Sequence, residues 1–187
     1  MLAHPAEQTD FATVTDPLFA WLDALHPVAW RQGKAFPRNY PDMKQLMADG
    51  ELDIIFAFNP SEASNAIANG ELPDTVRSFV FDAGTLANTH FITIPFNASA
   101  KAGGLVLADF LLSPEAQARK QDPAIWGDPT VLAMDALNAE DRQRFEALDL
   151  GIATLPPDRL GPALDEPHPS WMTAIETEWK RRYGGGN

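Results

Sequence analysis

The chain has 187 residues and no cysteine, which excludes disulfide bonds, thiol catalysis and cysteine-ligated metals. Its apolar runs are too short to span a membrane as a helix. Basic residues are also scarce: 14 Lys and Arg stand against 26 Asp and Glu, which gives a net charge of −12. Because this charge repels polyanions, we expect neither nucleic acid nor an anionic membrane surface as a partner.

Catalytic and cofactor motifs are absent as well. The four histidines are far apart, and none has a second histidine or a carboxylate at metal-ligand spacing. There is no G-x-S-x-G nucleophile motif, and Ala102-Gly103-Gly104 lacks the spacing and the lysine of a phosphate-binding loop. The sequence therefore predicts a binding protein without a cofactor, and not an enzyme.

Three apolar runs bounded by turn residues predict buried strands at 54–58, 76–81 and 91–95. Helical patterns precede, separate and follow these runs. This alternation predicts an α/β fold in which an open sheet is flanked by helices.

Capping residues predict where several helices begin. The first helix is expected to begin at Asp16-Pro17, and the last at Ser170. A central helix is expected over 98–112 behind Asn97, and the next one at Ser113-Pro114-Glu115. The predicted buried stripes are Leu18, Trp21, Leu22 and Leu25 on the first helix, Ala102, Val106 and Phe110 on the central one, and Trp171, Ala174, Ile175 and Trp179 on the last.

The segment from Ile94-Pro95 through the central helix to FLLSPEAQ (110–117) resembles the signature of extracellular solute-binding proteins. These are the receptor components of ABC importers and have the type II periplasmic-binding fold. A closer resemblance, to the YnjB-like subfamily, rests on four blocks in one order: LDALHP (22–27), WRQG (30–33), DIIFAFNPSEAS (53–64) and WGDPT (126–130).

This resemblance implies a periplasmic-binding-protein type II-like fold that is partial, with the second lobe and the C-terminal elements. Residues 1–82 would form the α/β segment of that lobe, and 83–125 the crossover and strand–helix–helix segment toward the other lobe. Residues 126–187 would form a C-terminal helical region with a proline-rich connection. The full-length protein is expected in the periplasm. Because the N-terminus shows no signal peptide, we expect a truncated form that lacks most of the first lobe.

Two segments are candidates for ligand contact, because ligands bind beyond the carboxyl ends of strands in open α/β sheets. Asn59, Ser61 and Glu62 follow the first predicted strand at a helix N-terminus, where free N–H groups can meet a ligand oxygen. The alternative is that Asn59 and Glu62 only cap their own helix. Thr85 and Asn88 lie in a small polar segment between two strands, and the alternative there is a hinge without ligand contact.

Two tryptophans in loop-like segments, Trp30 and Trp126, are candidates for stacking on a sugar or an organic cation. The alternative is that each ring is partly buried and only packs. Acidic charge and loop aromatics favour a cationic solute, such as a thiamine-like or polyamine-like molecule, over a sugar.

The resemblance implies the substrate-binding component of an ABC importer, which captures a small solute and delivers it to the permease subunits. With the first lobe largely missing, we expect weak or no solute binding by this chain, and a homodimer through the surface left exposed. Two alternatives stay open: a stand-alone ligand-sensing domain of a regulator, and an enzyme on the same fold.

Overall fold

The structure is a computed structural model that describes residues 2–8, 10–87 and 89–184. Seven α-helices and two short strands lie in these residues: α1 Phe11–Leu25, α2 Tyr40–Ala48, α3 Glu62–Ala68, β1 Thr85–Leu86, α4 Lys101–Leu111, α5 Pro114–Gln121, α6 Ala139–Glu146, β2 Ala163–Leu164 and α7 Ser170–Tyr183. Single 3₁₀ turns occur at Ala6–Gln8, His26–Val28, Trp30–Gly33, Met134–Ala136 and Pro157–Arg159. Strands β1 and β2 pair with each other in a two-stranded sheet.

The chain divides into two compact units. The first unit comprises Met1–Ile55 together with Leu164–Asn187, and the second comprises Phe56–Ala163. These boundaries differ from those of the predicted segments 1–82, 83–125 and 126–187. The predicted segments concern the lobes of a larger protein, and they stay predictions.

The first unit is built on α1 and α7, and α1 differs from its prediction. It begins at Phe11 behind Asp10, whose carboxylate accepts from Thr13 N (3.3 Å), so that Pro17 lies inside the helix and not at its start. The predicted stripe is also wrong: Trp21 is 59% exposed, whereas Thr15 and Phe19 are buried. The buried face is set by the partner helix, which periodicity alone does not reveal.

Helix α7 begins at Ser170 as predicted, and its predicted inward face is confirmed at Trp171, which is fully buried. The Trp171 ring stacks on Phe11 (5.9 Å between centroids), and its Nε1–H donates to His4 O (2.9 Å). Farther along, the rings of Trp179 and Tyr183 pack around the buried His26. This aromatic cluster is the core of the first unit.

The second unit does not form the predicted strands. Residues 54–58, 76–81 and 91–95 are extended, but in the described part of the chain they are not assembled into a sheet. A strand needs a neighbour to receive its hydrogen bonds, and the local apolar pattern does not supply one. The open sheet of a type II periplasmic-binding fold therefore stays a prediction.

Helix α4 begins at Lys101, three residues later than the predicted start at 98, and its predicted buried stripe is wrong. Val106 is 70% exposed and Phe110 53%. Gly104 packs closely on the segment before the helix, since an added Cβ would lie 3.0 Å from Ile94 Cδ1. Helix α5 begins as predicted, with Ser113 Oγ accepting from Ala116 N (3.3 Å).

Candidate functional site

The loop that carries Trp126 is held in place from the start of α3. Asn59 Nδ2 donates to Trp126 O (2.8 Å), and the buried Ser61 hydroxyl donates to Gly127 O (2.9 Å). Gly127 has a φ of 81°, and an added Cβ there would lie 2.4 Å from Ser61 Cβ. Only glycine fits this position without a shift, because both the left-handed backbone and the close approach exclude a side chain.

Helix α5 holds the same loop with two buried glutamines four residues apart. Gln117 Oε1 accepts from Val131 N (3.1 Å) and from the Thr130 hydroxyl (3.2 Å), and Gln121 Oε1 accepts from Thr130 N (3.0 Å). Both glutamine side chains lie on one face of the helix, because residues four apart are neighbours there. The loop 122–131 is therefore fixed by side-chain hydrogen bonds at its middle, from α3, and at its C-terminal end, from α5.

A charged pair lies next to the Trp126 ring. Lys120 Nζ is 2.6 Å from Asp128 Oδ2, and the two side chains are only 12% and 16% exposed. His90 Nε2 is 3.6 Å from the same carboxylate oxygen, and its ring centroid lies 5.0 Å from that of Trp126. The ammonium group of Lys120 lies 5.6 Å from the Trp126 ring centroid.

This arrangement presents an aromatic ring to solvent on a rigid support. Trp126 remains 46% exposed although its backbone is tied to Asn59. Lys120 and His90 occupy part of the ring surface. The uncovered part of the ring is available to stack on a flat or cationic solute.

The loop covers a cavity that is too small for a solute. The cavity measures about 20 Å³ and is lined by Ser61, Gln121, Gly127, Thr154 and neighbouring apolar residues. This volume holds about one water molecule. A solute would therefore have to contact the loop from its outer surface.

A second serine on α3 holds another loop of the same unit. The buried Ser64 Oγ accepts from Ala153 N (3.1 Å) and Thr154 N (2.8 Å), and lies 2.7 Å from Thr154 Oγ1. Gly151 (φ 74°) packs against Ser64, since an added Cβ would lie 2.7 Å from Ser64 Cβ. Ser61 and Ser64 thus each meet a left-handed glycine.

The structure brings three of the predicted site residues together: Asn59, Ser61 and Trp126. Asn59 has two roles, since its Oδ1 accepts from Ser61 N (2.8 Å) in the turn before α3 while its Nδ2 reaches the loop. The Ser61 hydroxyl is buried against Gly127 and points away from solvent-borne ligands. Glu62 is half-buried in the first turn of α3. Ligand contact by these residues stays a prediction.

The remaining predicted residues lie elsewhere. Thr85 is exposed in β1, where its N–H donates to Pro162 O (3.2 Å). Asn88 lies outside the described residues. Trp30 belongs to the first unit, where its Nε1–H donates to Glu51 Oε2 (3.0 Å) and the Arg31 guanidinium lies 4.4 Å from its ring centroid.

Sequence reasoning missed the support of the Trp126 loop, which Gln117, Gln121, Lys120 and Asp128 provide. One signal was available: α5 has few apolar residues, so its buried face must be polar and must be hydrogen-bonded. The pairing of Lys120 with Asp128 has no such signal, because it depends on the path of the loop between them.

Two negative findings concern the described residues alone. Nowhere in residues 2–8, 10–87 and 89–184 do three or more His, Asp or Glu side chains form a group suited to a metal ion. Over the same ranges, no helix has both the length and the apolar character needed to cross a bilayer.

The chain is similar to Protein YnjB of Escherichia coli (strain K12), with 48% identity over 183 residues. The match covers 98% of this chain and 45% of the relative, so the chain spans less than half of the relative's length. No family model matches the chain, and no solved structure matches it. The similarity extends along nearly the whole length of this chain.

Proposed function

We propose that this chain is part of the substrate-binding component of an ABC importer. In this proposal a small solute is captured from outside the membrane and delivered to the permease subunits. Closure of two lobes would select the state that holds the solute. This chain would supply most of one lobe. The proposal rests on the motif resemblance between 94 and 117 and on the site that carries Trp126.

The single observation in the structure that supports this function best is the exposed ring of Trp126 on a loop fixed by hydrogen bonds. Holding an aromatic ring half-exposed is useful for recognition, because a ring that is already ordered loses little conformational entropy on binding. Asn59 fixes the backbone of Trp126, and Lys120 and His90 contact its ring, while 46% of the residue stays exposed.

A cationic solute is the class that we propose. The net charge of −12 attracts cations to the surface, and a tryptophan face attracts them at close range. The Lys120 ammonium would repel a cation from the ring face that it covers, but its charge is compensated by Asp128, whose Oδ2 lies 2.6 Å from Lys120 Nζ. The solute would therefore use the uncovered face.

Binding can be tested with fluorine NMR, because Trp126 is the second unit's only tryptophan among five in the chain. Both this chain and the full-length Escherichia coli relative would be labelled with 5-fluorotryptophan and titrated with spermidine, choline, thiamine and glucose. We expect one of the cations to bind the full-length relative with a micromolar dissociation constant, measured by calorimetry. In this chain, the same cation should shift the fluorine signal that Trp126→Phe removes. This chain alone should bind more weakly.

Trp21→Phe is the matched control, since Trp21 is similarly exposed but lies on α1 in the other unit. It should leave the affinity unchanged. Binding of glucose but of no cation would contradict the cationic class. If none of the four probes produces heat in calorimetry or shifts the Trp126 signal, the site as proposed is wrong. Chemical conversion of a bound probe would favour the enzyme alternative.

A further inference from the structure

Large apolar side chains of the second unit are exposed on its extended segments. The phenylalanines concerned lie in three stretches, 56–58, 79–81 and 91–96, which we call the extended apolar segments. Their exposed fractions are 71% for Phe56, 102% for Phe58, 58% for Phe79, 60% for Phe81, 86% for Phe91 and 89% for Phe96. Exposed apolar side chains in such numbers mark an interaction surface.

The spacing of these side chains is that of a strand that lacks its sheet. Phe79 and Phe81 are two residues apart, so they lie on one face, and their rings meet edge to face at 5.7 Å. Val80, on the other face, is half-buried against the unit. Phe56 and Phe58 repeat the same two-residue spacing. The segment 79–81 therefore presents one phenylalanine face that is open to a cover.

Part of the backbone of the extended apolar segments is also unpaired, although the carbonyl oxygens of Phe81 and Pro95 accept from Gly84 N (2.9 Å) and Ala98 N (3.0 Å). Within the described residues, no backbone N–H of 56–58, 79–81 or 91–94 donates to a backbone carbonyl oxygen. Ser78 N, directly before the second segment, donates to Ala153 O (3.3 Å), which shows where the pairing ends. Unpaired extended backbone is a template for an added strand.

Helix α4, which packs on the third segment through Gly104 and Ile94, is apolar and exposed as well. Exposed fractions are 64% for Leu105, 70% for Val106, 54% for Leu107, 53% for Phe110 and 56% for Leu112. A helix in water normally exposes its polar face. The apolar surface of α4 therefore also requires a cover.

The total exposed area supports this conclusion. The protein exposes 13335 Å² at a mass of 20.5 kDa. Two separate compact bodies, each of half this mass, would together expose about 10,700 Å², so the excess is about 2,700 Å². This exceeds the roughly 800 Å² that one partner contributes to a standard interface, and it falls in the range of permanent association.

We propose that the extended apolar segments and α4 form the docking surface for the part of a YnjB-like protein that this chain does not match. That part would add strands to the extended apolar segments and cover the phenylalanines and α4. It is a polypeptide with β-forming, apolar stretches, whether joined to this chain or separate from it. This inference does not depend on the identity of any solute.

Two observations favour this occupant over a second copy of the chain. The relative keeps 48% identity over the matched residues while more than half of its length lies outside them. The same surface is therefore accompanied there by a polypeptide large enough to cover it. A second copy, in contrast, brings another net charge of −12 and is repelled.

Hydrogen exchange tests the proposal on two intact proteins, this chain and the full-length Escherichia coli relative. Peptides that cover 56–58, 79–81 and 91–94 should exchange rapidly in this chain. The aligned peptides of the relative should exchange at least about 100-fold more slowly, because their amides would be paired. Peptides from α5 are the control, since the helical hydrogen bonds of α5 form within this chain and need no added strand. Light scattering on this chain gives its mass in the same buffer.

Each outcome decides the proposal. Slow exchange in the relative together with fast exchange in a monomeric chain would support it. Equally fast exchange in both proteins would overturn it, because the segments would then lack a cover in the longer protein too. Slow exchange in this chain with a dimeric mass would also overturn it and would make a second copy the occupant.

Discussion

Replacing Gly127 by alanine tests the hydrogen-bonded support of the Trp126 loop most sharply. At a φ of 81° an alanine costs about 1–2 kcal/mol in backbone strain. Its Cβ would also lie 2.4 Å from Ser61 Cβ and 2.7 Å from Ser61 Oγ, and relieving such overpacking costs about 1–3 kcal/mol. We therefore expect Gly127→Ala to lower the free energy of unfolding of the second unit by about 3 kcal/mol.

Gly70→Ala is the matched control in the same unit. Gly70 has a similar φ of 73°, but no atom lies within 4 Å of an added Cβ. Its replacement should cost only the strain, about 1–2 kcal/mol. The difference between the two variants isolates the contact with Ser61.

A double variant identifies the contact itself. In a Ser61→Gly background both short contacts disappear, and the nearest remaining atom to a Cβ at 127 is Pro123 Cα at 3.4 Å. Gly127→Ala should then cost no more than Gly70→Ala. Denaturation in guanidinium, monitored by the fluorine signal of Trp126, measures all four variants. Equal costs for the two single glycine variants, or an unchanged cost of Gly127→Ala beside Ser61→Gly, would refute the reasoning.

Three other contacts can be tested in the same way. Ser64→Ala removes a buried hydrogen-bond acceptor and should lower the free energy of unfolding, measured by chemical denaturation, by about 2 kcal/mol. The exposed control Ser99→Ala should lower it by less than ~0.5 kcal/mol. Equal losses would contradict the role of the Ser64 hydroxyl. Lys120→Met removes the lysine partner of the nearly buried Asp128 carboxylate and should lower the free energy of unfolding by about 2 kcal/mol. A second replacement, Asp128→Asn, should restore most of this loss. Strictly additive costs of the two replacements would show that the pair is not coupled. Glu178 has its pKa lowered to about 2, from 4.5, by hydrogen bonds from the arginines three and four residues on, so its contribution is complete above pH 4.5 and is lost as the pH falls to about 2. Glu178→Gln should flatten the loss of α7 helicity over this window, followed by circular dichroism, and an unchanged acid titration would count against the interaction.

Some helix ends were predictable because their chemistry is local, although the starts of α1 and α4 were not. Ser113 caps α5 through the N–H of Ala116, three residues on. Gly50 and Gly70 follow α2 and α3 with φ of 76° and 73°, as glycines after a helix do. Each of these features is decided within one helical turn, so the sequence alone is sufficient.

Buried faces were less predictable, because they depend on the partner. On α1 the apolar pattern favoured Leu18 and Trp21, but the structure buries Phe19, on which the Arg182 guanidinium stacks at 4.4 Å. The hydrogen bonds that hold the Trp126 loop could not be predicted from the sequence for the same reason. Asn59 and Trp126 are 67 positions apart, and nothing local to either residue indicates the hydrogen bond between them.

The extended apolar segments show where local and long-range information separate. Their continuous apolar runs predict buried strands, but the structure leaves Phe58 fully exposed. A strand is stabilised only when its backbone is paired with a neighbouring strand. A sequence can therefore favour a strand even though the residues that would pair with it belong to another segment of polypeptide. The sequence of these segments favours strands, but the described residues do not pair with them in a sheet, and this difference is informative. In our proposal, it marks the surface on which further polypeptide docks.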